Sequence, residues 1–457
     1  MNGTYNLRTT LGAKVGFLVL FALGLLTARA IVALRTAVVL SAPVTLPRMG
    51  LSIAVPAGNG WKSASRWKHE RNTFVLTSIF SPRSSRPTAS AQCRYRFPRE
   101  VLDTESIFER EAAELDAEIM EQGQFPAGPL DVNWAHLRKT DAPYNTFFGI
   151  VSLPHGRCLE IEVHETAGDA HFAATVFQKI AESAEFHESP LLEAGRRIIN
   201  SLKEIGLAQS LENRNRQGLF LIRDSSRRIL GFTTEVVLES DPESQFNIEG
   251  AALDYIKTRP AREQVTTFQS DNRFDRFNWR LDRFVWHSLG IAPEKRGFAV
   301  SLGDDGVLRI TTYDVQTGEV AYRASDLTIP EILLDQVLAR MFLTGTDEII
   351  VDVIGSDGRI APTHISRIEP ENTSVGPEVR YMAKLVSLYA RSFFQLIYLD
   401  AYMQITKRLV RKEDLLIFEK IDPADAAKLF PERAEYILQA DKLRKYREPQ
   451  GSRAGPQ

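Results

Sequence analysis

The chain has 457 residues, of which 44% are hydrophobic and 25% charged, the composition of a folded protein long enough for two or three domains. Its 56 basic and 58 acidic residues leave a formal net charge of -2, so the surplus of positive charge that nucleic acid binding needs is missing. With only two cysteines, the chain is neither a disulfide-dense scaffold nor a cysteine-rich zinc protein.

The first predicted element is an apolar segment near the N-terminus. Residues 15–26 form an unbroken apolar run that follows Arg8 and Lys14. About 20 residues span a bilayer, so residues 15–34 predict a single-pass signal-anchor in the inner membrane with the body on the periplasmic side. Because Ala28-Arg29-Ala30 resembles a signal peptidase site, a cleaved signal peptide is an alternative, and a buried core helix is another.

A small α/β unit is predicted at residues 46–190. Its pattern is three strands, an acidic helix over residues 104–122, two more strands and a closing helix capped by Asp169. The opening sequence Leu51–Trp61 and the closing sequence Phe177–Phe186 resemble the PsbP/Mog1-like α/β sandwich family. Members of that family are mostly accessory or binding proteins without a common catalytic site, so the resemblance transfers no site residues.

A helical connector over residues 191–217 precedes a second unit, residues 218–443, in which strand-like alternation dominates. Asp305-Gly306 and Asp357-Gly358 each stand between strand-like runs and predict β-hairpins, because type I′ turns need positive φ. One amphipathic helix is predicted over Thr328–Leu343, opened by a capping box that contains an early proline.

An antiparallel meander around one amphipathic helix resembles the LolA/LolB-like unclosed β-barrel, here over residues 218–430. That resemblance implies a concave side that binds acyl chains or other lipophilic ligands. The predicted fold class of the chain is therefore α+β: an N-terminal transmembrane helix and connector (residues 1–45), a small α/β sandwich, and an antiparallel β-rich half-barrel wrapped around a helix. Residues 444–457 are polar and predict a disordered tail.

The two cysteines, Cys93 and Cys158, lie on two predicted strands of the first unit. In an oxidising compartment they could form a disulfide, which would stabilise the fold by roughly 4 kcal/mol. Alternatively, they are buried free thiols that pack as small hydrophobic residues. In both cases their role is structural.

Arginines and aromatic residues recur together between residues 273 and 286. On a helix they would form a basic face beside an aromatic one, which is typical of a segment that lies on a membrane surface. On a long strand they would be packing residues with cation–π and Arg–Asp neighbours. The candidate membrane or partner contacts are Arg273, Arg276, Trp279, Arg280, Arg283 and Trp286.

Common catalytic signatures do not occur in the chain: there is no Walker A loop, no G-x-G-x-x-G after a strand, no G-x-S-x-G and no H-E-x-x-H. No catalytic, cofactor-binding or metal-binding residue is assigned, and no cofactor is predicted. The predicted function is non-enzymatic binding of a lipophilic ligand or an envelope protein, with membrane contact through the N-terminal helix and no nucleic acid partner. The alternatives are a structural scaffold of an envelope complex, or a hydrolase whose catalytic residues converge only in space.

Overall fold

In a computed structural model of the chain, the described residues begin in the N-terminal apolar segment and end at Leu438. They are residues 15–25, 27, 38–46, 48–58, 60–70, 73–81, 88–101, 103–205, 216–239, 248–258, 264–274, 281–289, 297–302, 306–313, 318–355, 359–369, 379–389, 394–411 and 414–438. Within residues 235–299 the description covers the backbone alone. The predicted disordered tail, residues 444–457, lies outside these ranges.

Strands dominate the described chain. The first thirteen are β1 (Val39–Leu40), β2 (Val44–Leu46), β3 (Leu51–Ile53), β4 (Pro56–Ala57), β5 (Trp61–Ser63), β6 (Lys68–Glu70), β7 (Thr73–Phe80), β8 (Ala89–Arg96), β9 (Ala117–Ala127), β10 (Leu130–Lys139), β11 (Asn145–Leu153), β12 (Arg157–Glu165) and β13 (Glu185–Phe186). The others are β14 (Arg216–Arg223), β15 (Ile229–Glu239), β16 (Ile248–Thr258), β17 (Gln264–Phe274), β18 (Leu281–Leu289), β19 (Gly297–Leu302), β20 (Val307–Tyr313), β21 (Gly318–Arg323), β22 (Thr328–Pro330), β23 (Glu348–Ile354), β24 (Ile360–Ile368), β25 (Tyr381–Ser387), β26 (Phe394–Leu399), β27 (Ile405–Arg411) and β28 (Leu415–Lys420).

The helices are fewer and mostly short. They are α1 (residues 15–25), α2 (Thr104–Leu115), α3 (Ala170–Glu182), α4 (Pro190–Ile205), α5 (Leu334–Leu343), α6 (Pro423–Leu429) and α7 (Ala434–Leu438), with 3-10 turns at Glu331–Leu333 and Pro431–Arg433. The predicted α+β class is wrong, because the described structure is mostly β and its sheets are open.

The predicted transmembrane helix is also wrong. Across the described segments, no helix has both the length and the apolar character that a membrane crossing requires. The signal-anchor and the single-pass inner-membrane location, which depended on such a helix, are overturned with it.

An eight-stranded sheet, sheet I, occupies residues 61–165. Its strand order is β5-β7-β8-β12-β11-β10-β9, with β6 paired to β7. The helix α2 packs on one face through Ile107 and Phe108, and α3 packs on the other face. The predicted acidic helix ends at Leu115 instead of residue 122, because Asp116 adopts a left-handed conformation (φ 51°) and the chain continues as the edge strand β9.

A second sheet of fifteen strands, sheet II, contains β14 to β28 in the order β21-β20-β19-β18-β17-β16-β15-β14-β28-β27-β26-β25-β24-β23-β22. Laid flat, fifteen strands would be about 67 Å wide. Its two edge strands, however, are joined by the four residues Ala324–Leu327, which hold Arg323 and Thr328 within about 18 Å of each other. Sheet II must therefore bend back on itself in a barrel-like curve.

One side of sheet II carries the helix α5. The ring of Phe342 in α5 lies 5.1 Å from that of Tyr381 on β25. The predicted capping box is not formed, because Thr328–Pro330 pairs with β23 as the parallel strand β22 and α5 begins only at Leu334. Gly345 follows the helix at φ 66°, in agreement with the predicted end.

The hydrophobic core continues from sheet I into sheet II through α4. The residues Leu192, Ile198 and Leu202 of this helix are buried in one cluster with core residues of both sheets. Its Gly195 lies so close to β23 that a Cβ there would overlap the carbonyl oxygen of Ile350. The segment predicted as a connector therefore packs against the edge of sheet II.

Candidate binding site

The register of the central strands shows which residues share the side of sheet II that carries α5. Directly opposed residues of an antiparallel pair lie on the same face. Ile397 of β26 opposes Arg408 of β27, which opposes Phe418 of β28, which opposes Ile222 of β14. The α5 side of these strands therefore presents one group of residues, here called the β27–β28 wall: Phe220, Ile222, Arg408, Val410, Leu416, Phe418 and Lys420.

The two halves of this side differ in how they are covered. Near α5, on β23 to β26, the side chains of Ile349, Ile365, Ala383, Leu385 and Ile397 are almost completely buried. On β27 and β28, by contrast, every residue from position 405 to 410 and from 415 to 419 is only half-buried. The apolar residues beside α5 are thus buried, and so are Phe220 and Ile222 of the β27–β28 wall. The half-buried apolar residues of the wall are Val410, Leu416 and Phe418.

Both charged groups on the wall are positive. The guanidinium of Arg408 lies 5.1 Å above the ring of Phe220, a cation–π arrangement that places the charge on an apolar surface. Lys420, opposite Phe220, donates a hydrogen bond to Gln404 at 2.9 Å. The carboxylate of Glu419 projects from the opposite face, where it pairs with Lys407 at 3.1 Å.

The opposite face of β14 and β15 is closed by the C-terminal helices. Leu219, Leu221 and Phe232 form a buried cluster with residues of α6 and α7. The rings of Phe232 and Phe430 lie 5.0 Å apart. A ligand of these strands would therefore approach from the α5 side.

A second polar group joins the two sheets. Arg157 at the start of β12 and Asp352 of β23 are both fully buried, and one guanidinium nitrogen donates to both carboxylate oxygens at 2.9 and 3.1 Å. The same guanidinium lies 4.5 Å above the ring of Phe97 and donates to the carbonyl of His155. Burial raises the pKa of Asp352, although the positive charge of Arg157 acts in the opposite direction and lowers it. Since both side chains are fully buried, we assign this pair a structural role.

Of the histidines whose side chains are described, the one with two carboxylate partners, His155, lies beside this pair. Nδ1 of His155 is 2.6 Å from Asp326, and Nε2 is 3.1 Å from Glu188, which also pairs with Arg196. Because carboxylates occupy both ring nitrogens, neither is placed to activate a hydroxyl or thiol nucleophile. His155 thus links the segments that carry Asp326 and Glu188, and this geometry does not support the hydrolase alternative.

The predicted disulfide is wrong. Cys93 on β8 opposes Ile161, whereas Cys158 on the neighbouring strand opposes Arg96. The odd spacing between Cys158 and Ile161 places the two thiols on opposite faces of sheet I, where they cannot reach disulfide distance. Both are buried free cysteines, and burial raises the pKa of each thiol to about 12, so the free-thiol alternative is correct.

The arginine and aromatic stretch is described only in part. Arg273 lies on β17 and opposes Arg283 on β18, and Trp286 lies on the same strand. The chain is extended at both ends of the stretch, which excludes the helical alternative there. Arg276, Trp279 and Arg280 lie outside the described residues, so contact with a membrane or partner stays a prediction.

Sequence reasoning missed the β27–β28 wall. The only local signal is the alternation of Arg408 and Val410 with Lys407 and Leu409, which has charged and apolar residues on both faces. No local pattern identifies which face turns toward α5.

Comparisons with known proteins give little further detail. No family model and no curated protein matches the chain, so the resemblances to the PsbP/Mog1-like and LolA/LolB-like families are not supported. Among solved structures, a beta-barrel-like protein of the domain of unknown function DUF1849 from Brucella abortus is 8% identical over 45% of this chain and 95% of that chain, with a TM-score of 0.35. A protein from Bacteroides thetaiotaomicron is 11% identical over 36% of this chain and 59% of its own, with a TM-score of 0.21.

Proposed function

We propose that the chain is a non-enzymatic binding protein that holds a lipophilic ligand against the β27–β28 wall. The observation that carries the proposal is the contrast in burial on the α5 side of sheet II. Apolar side chains fill that side at β23 to β26, whereas Val410, Leu416 and Phe418 remain half-buried although they belong to central strands of a fifteen-stranded sheet.

The chemistry of the wall supports the same proposal. Small-molecule sites are concave and mostly apolar, with a few polar groups that fix the orientation of the ligand. The wall has two cations and five apolar side chains, of which Phe220 and Ile222 are buried and the other three are half-buried. A ligand with an alkyl chain matches this composition.

A matched pair of substitutions on β28 tests the proposal. Leu416 and Ile417 are neighbours and both half-buried, but Leu416 faces α5 and Ile417 faces away. We expect the full-length chain to bind decan-1-ol saturably in isothermal titration calorimetry. Leu416→Glu should weaken this binding at least about tenfold, because a carboxylate would be placed against the alkyl chain, whereas Ile417→Glu should not. No saturable binding, or an equal loss in both variants, would contradict the proposal.

A structural scaffold is the second candidate, and the Arg157–Asp352 pair favours it because it joins sheet I to sheet II within a single core. On this hypothesis the partner contacts the arginine and aromatic stretch. Replacing Arg276 and Arg280 by Glu should then reduce the recovery of co-isolated partners. Unchanged recovery would count against that surface.

A further inference from the structure

We propose that the chain forms a homodimer through sheet I, in which the strands β9 and β10 of one copy pack face to face on the same strands of a second copy. Directly opposed residues of these two strands share one face of the sheet. The surface on that face, here called the β9–β10 strip, consists of Glu118, Glu121, Gly123, Trp134, His136 and Arg138.

The β9–β10 strip lies beside the helix α3. This helix packs over β8, β11 and β12, and the ring of its Phe177 lies 6.1 Å from that of Phe147 on β11. His136 opposes Phe147 directly, so the strip is on the same face of sheet I as α3. Trp134 and His136 are nevertheless only half-buried, and the other members of the strip are exposed. Two rings therefore remain accessible at its centre.

The chemistry of the strip is that of a protein interface. The rings of Trp134 and His136 both stack on Phe147, with centroids 6.0 and 4.5 Å away, so their orientation is already fixed. Met120, at the bulge of β9 beside them, is 52% exposed. Aromatic residues, methionine and arginine are enriched in protein interfaces, and rings that are held in place lose little side-chain entropy on binding.

The distribution of charge favours a second copy of the chain as the partner. The acidic residues of the strip, Glu118 and Glu121, lie on β9, whereas His136 and Arg138 lie on β10. A two-fold axis that runs along the strands, between β9 and β10, places β9 of one copy on β10 of the other. Glu118 then faces the second copy's Arg138, which forms no ion pair within the described part of its own chain. The strip is therefore complementary to itself.

The position of α3 matches this arrangement. Sheets that pack face to face lie about 10 Å apart, and an α-helix is about 10–12 Å across, so the second sheet lies in the same layer as α3. Because β9 is the edge strand of sheet I, the α3 helix of each copy then lies beside the β9 strand of the other. The dimer thus covers an edge strand of 11 residues, which in a monomer is open to pairing with other chains.

The test exchanges the charges of Glu118 and Arg138. Sedimentation equilibrium of the wild-type full-length chain should show a reversible dimer. In Glu118→Arg or in Arg138→Glu, like charges face each other across the axis, so the affinity of the dimer should fall at least about tenfold. An equimolar mixture of the two variants should form a heterodimer with about the wild-type affinity, because each of these contacts again joins opposite charges. Trp134→Ala should also weaken the dimer at least about tenfold.

The matched controls are Glu193→Arg and Arg197→Glu, which make the same charge changes in an exposed pair on α4 and should leave the dimer unchanged. A wild-type chain that is monomeric at about 100 μM would overturn the proposal, and this measurement needs no variant. A dimer that persists unweakened in both single charge variants would overturn it as well, and so would a mixture that stays monomeric. Equal weakening by the α4 variants would also overturn it, because net charge would then explain the effect.

Discussion

The buried Arg157–Asp352 pair can be tested by removing one partner at a time. Asp352→Asn keeps the size of the side chain but leaves the guanidinium of Arg157 without its counterion in a fully buried position. Arg157→Met leaves the carboxylate of Asp352 in the same situation. Removing one partner of a buried pair costs about 3–5 kcal/mol, because the remaining charge keeps its desolvation penalty and loses its compensation.

The double variant Arg157→Met with Asp352→Leu distinguishes a charge effect from a packing effect. If charge dominates, the double variant should cost clearly less than the sum of the single variants, because neither charge is left buried alone. A control is Arg197→Gln, which removes the exposed i,i+4 partner of Glu193 and should cost only about 0.3–0.5 kcal/mol. The free energy of unfolding would be measured by urea titration, followed by circular dichroism.

The pH dependence of Arg157→Met gives a second measure of the same charge. Burial already raises the pKa of Asp352, and removal of Arg157 takes away the group that opposes this shift. The folded state then retains a proton that the unfolded state releases, so stability falls as pH rises above the unfolded pKa. The variant should therefore lose less stability at pH 5 than at pH 8. A cost below about 1 kcal/mol for Asp352→Asn, or strict additivity in the double variant, would refute the reasoning.

Three further predictions concern other positions. Burial raises the pKa of Glu111 to about 7, so its contribution to stability should fall as pH rises from about 4.5 to 7. In Glu111→Gln, the urea concentration at the midpoint of unfolding should therefore depend less on pH between pH 5 and 8. An unchanged pH dependence of that midpoint would refute this prediction. Gly195→Ala should destabilise the fold by about 1–3 kcal/mol, because the added Cβ would overlap the carbonyl of Ile350. Helix propensity alone would instead stabilise the fold by about 1 kcal/mol. The sign of the change in the free energy of unfolding, measured in urea, distinguishes the two effects. Cys93 and Cys158 should resist iodoacetamide in the folded chain and react on unfolding, and rapid labelling in the native state would contradict their burial.

Features set by a few neighbouring residues were predicted well. The side chain of Asp169 accepts a hydrogen bond from the backbone of Phe172 at 2.9 Å, which is the predicted cap of α3. The strands around Asp305-Gly306 and Asp357-Gly358 pair as predicted. Such features depend on the residue types at a few neighbouring positions, which can be read directly from the sequence.

Features that depend on distant residues were predicted poorly. Residues 117–122 were predicted to continue the acidic helix, but they pair with β10, since the hydrogen bonds of the sheet outweigh a weak local preference. Thr328–Pro330 was predicted to begin a helix, but it forms the edge strand β22 of sheet II. The β27–β28 wall depends on pairing between β14 and β28, whose partners are nearly 200 residues apart, so local periodicity could not identify its members.

The pairing of β14 with β28 has a consequence for the synthesis of the chain. All residues from 224 to 414 must be translated between these two neighbours, which takes roughly 10–40 s at common elongation rates. During that time one edge of β14 exposes the backbone groups that β28 will later occupy, and such an edge can pair with another nascent chain. Because β28 follows β14 by almost 200 residues, this edge stays unpaired until β28 has been synthesised.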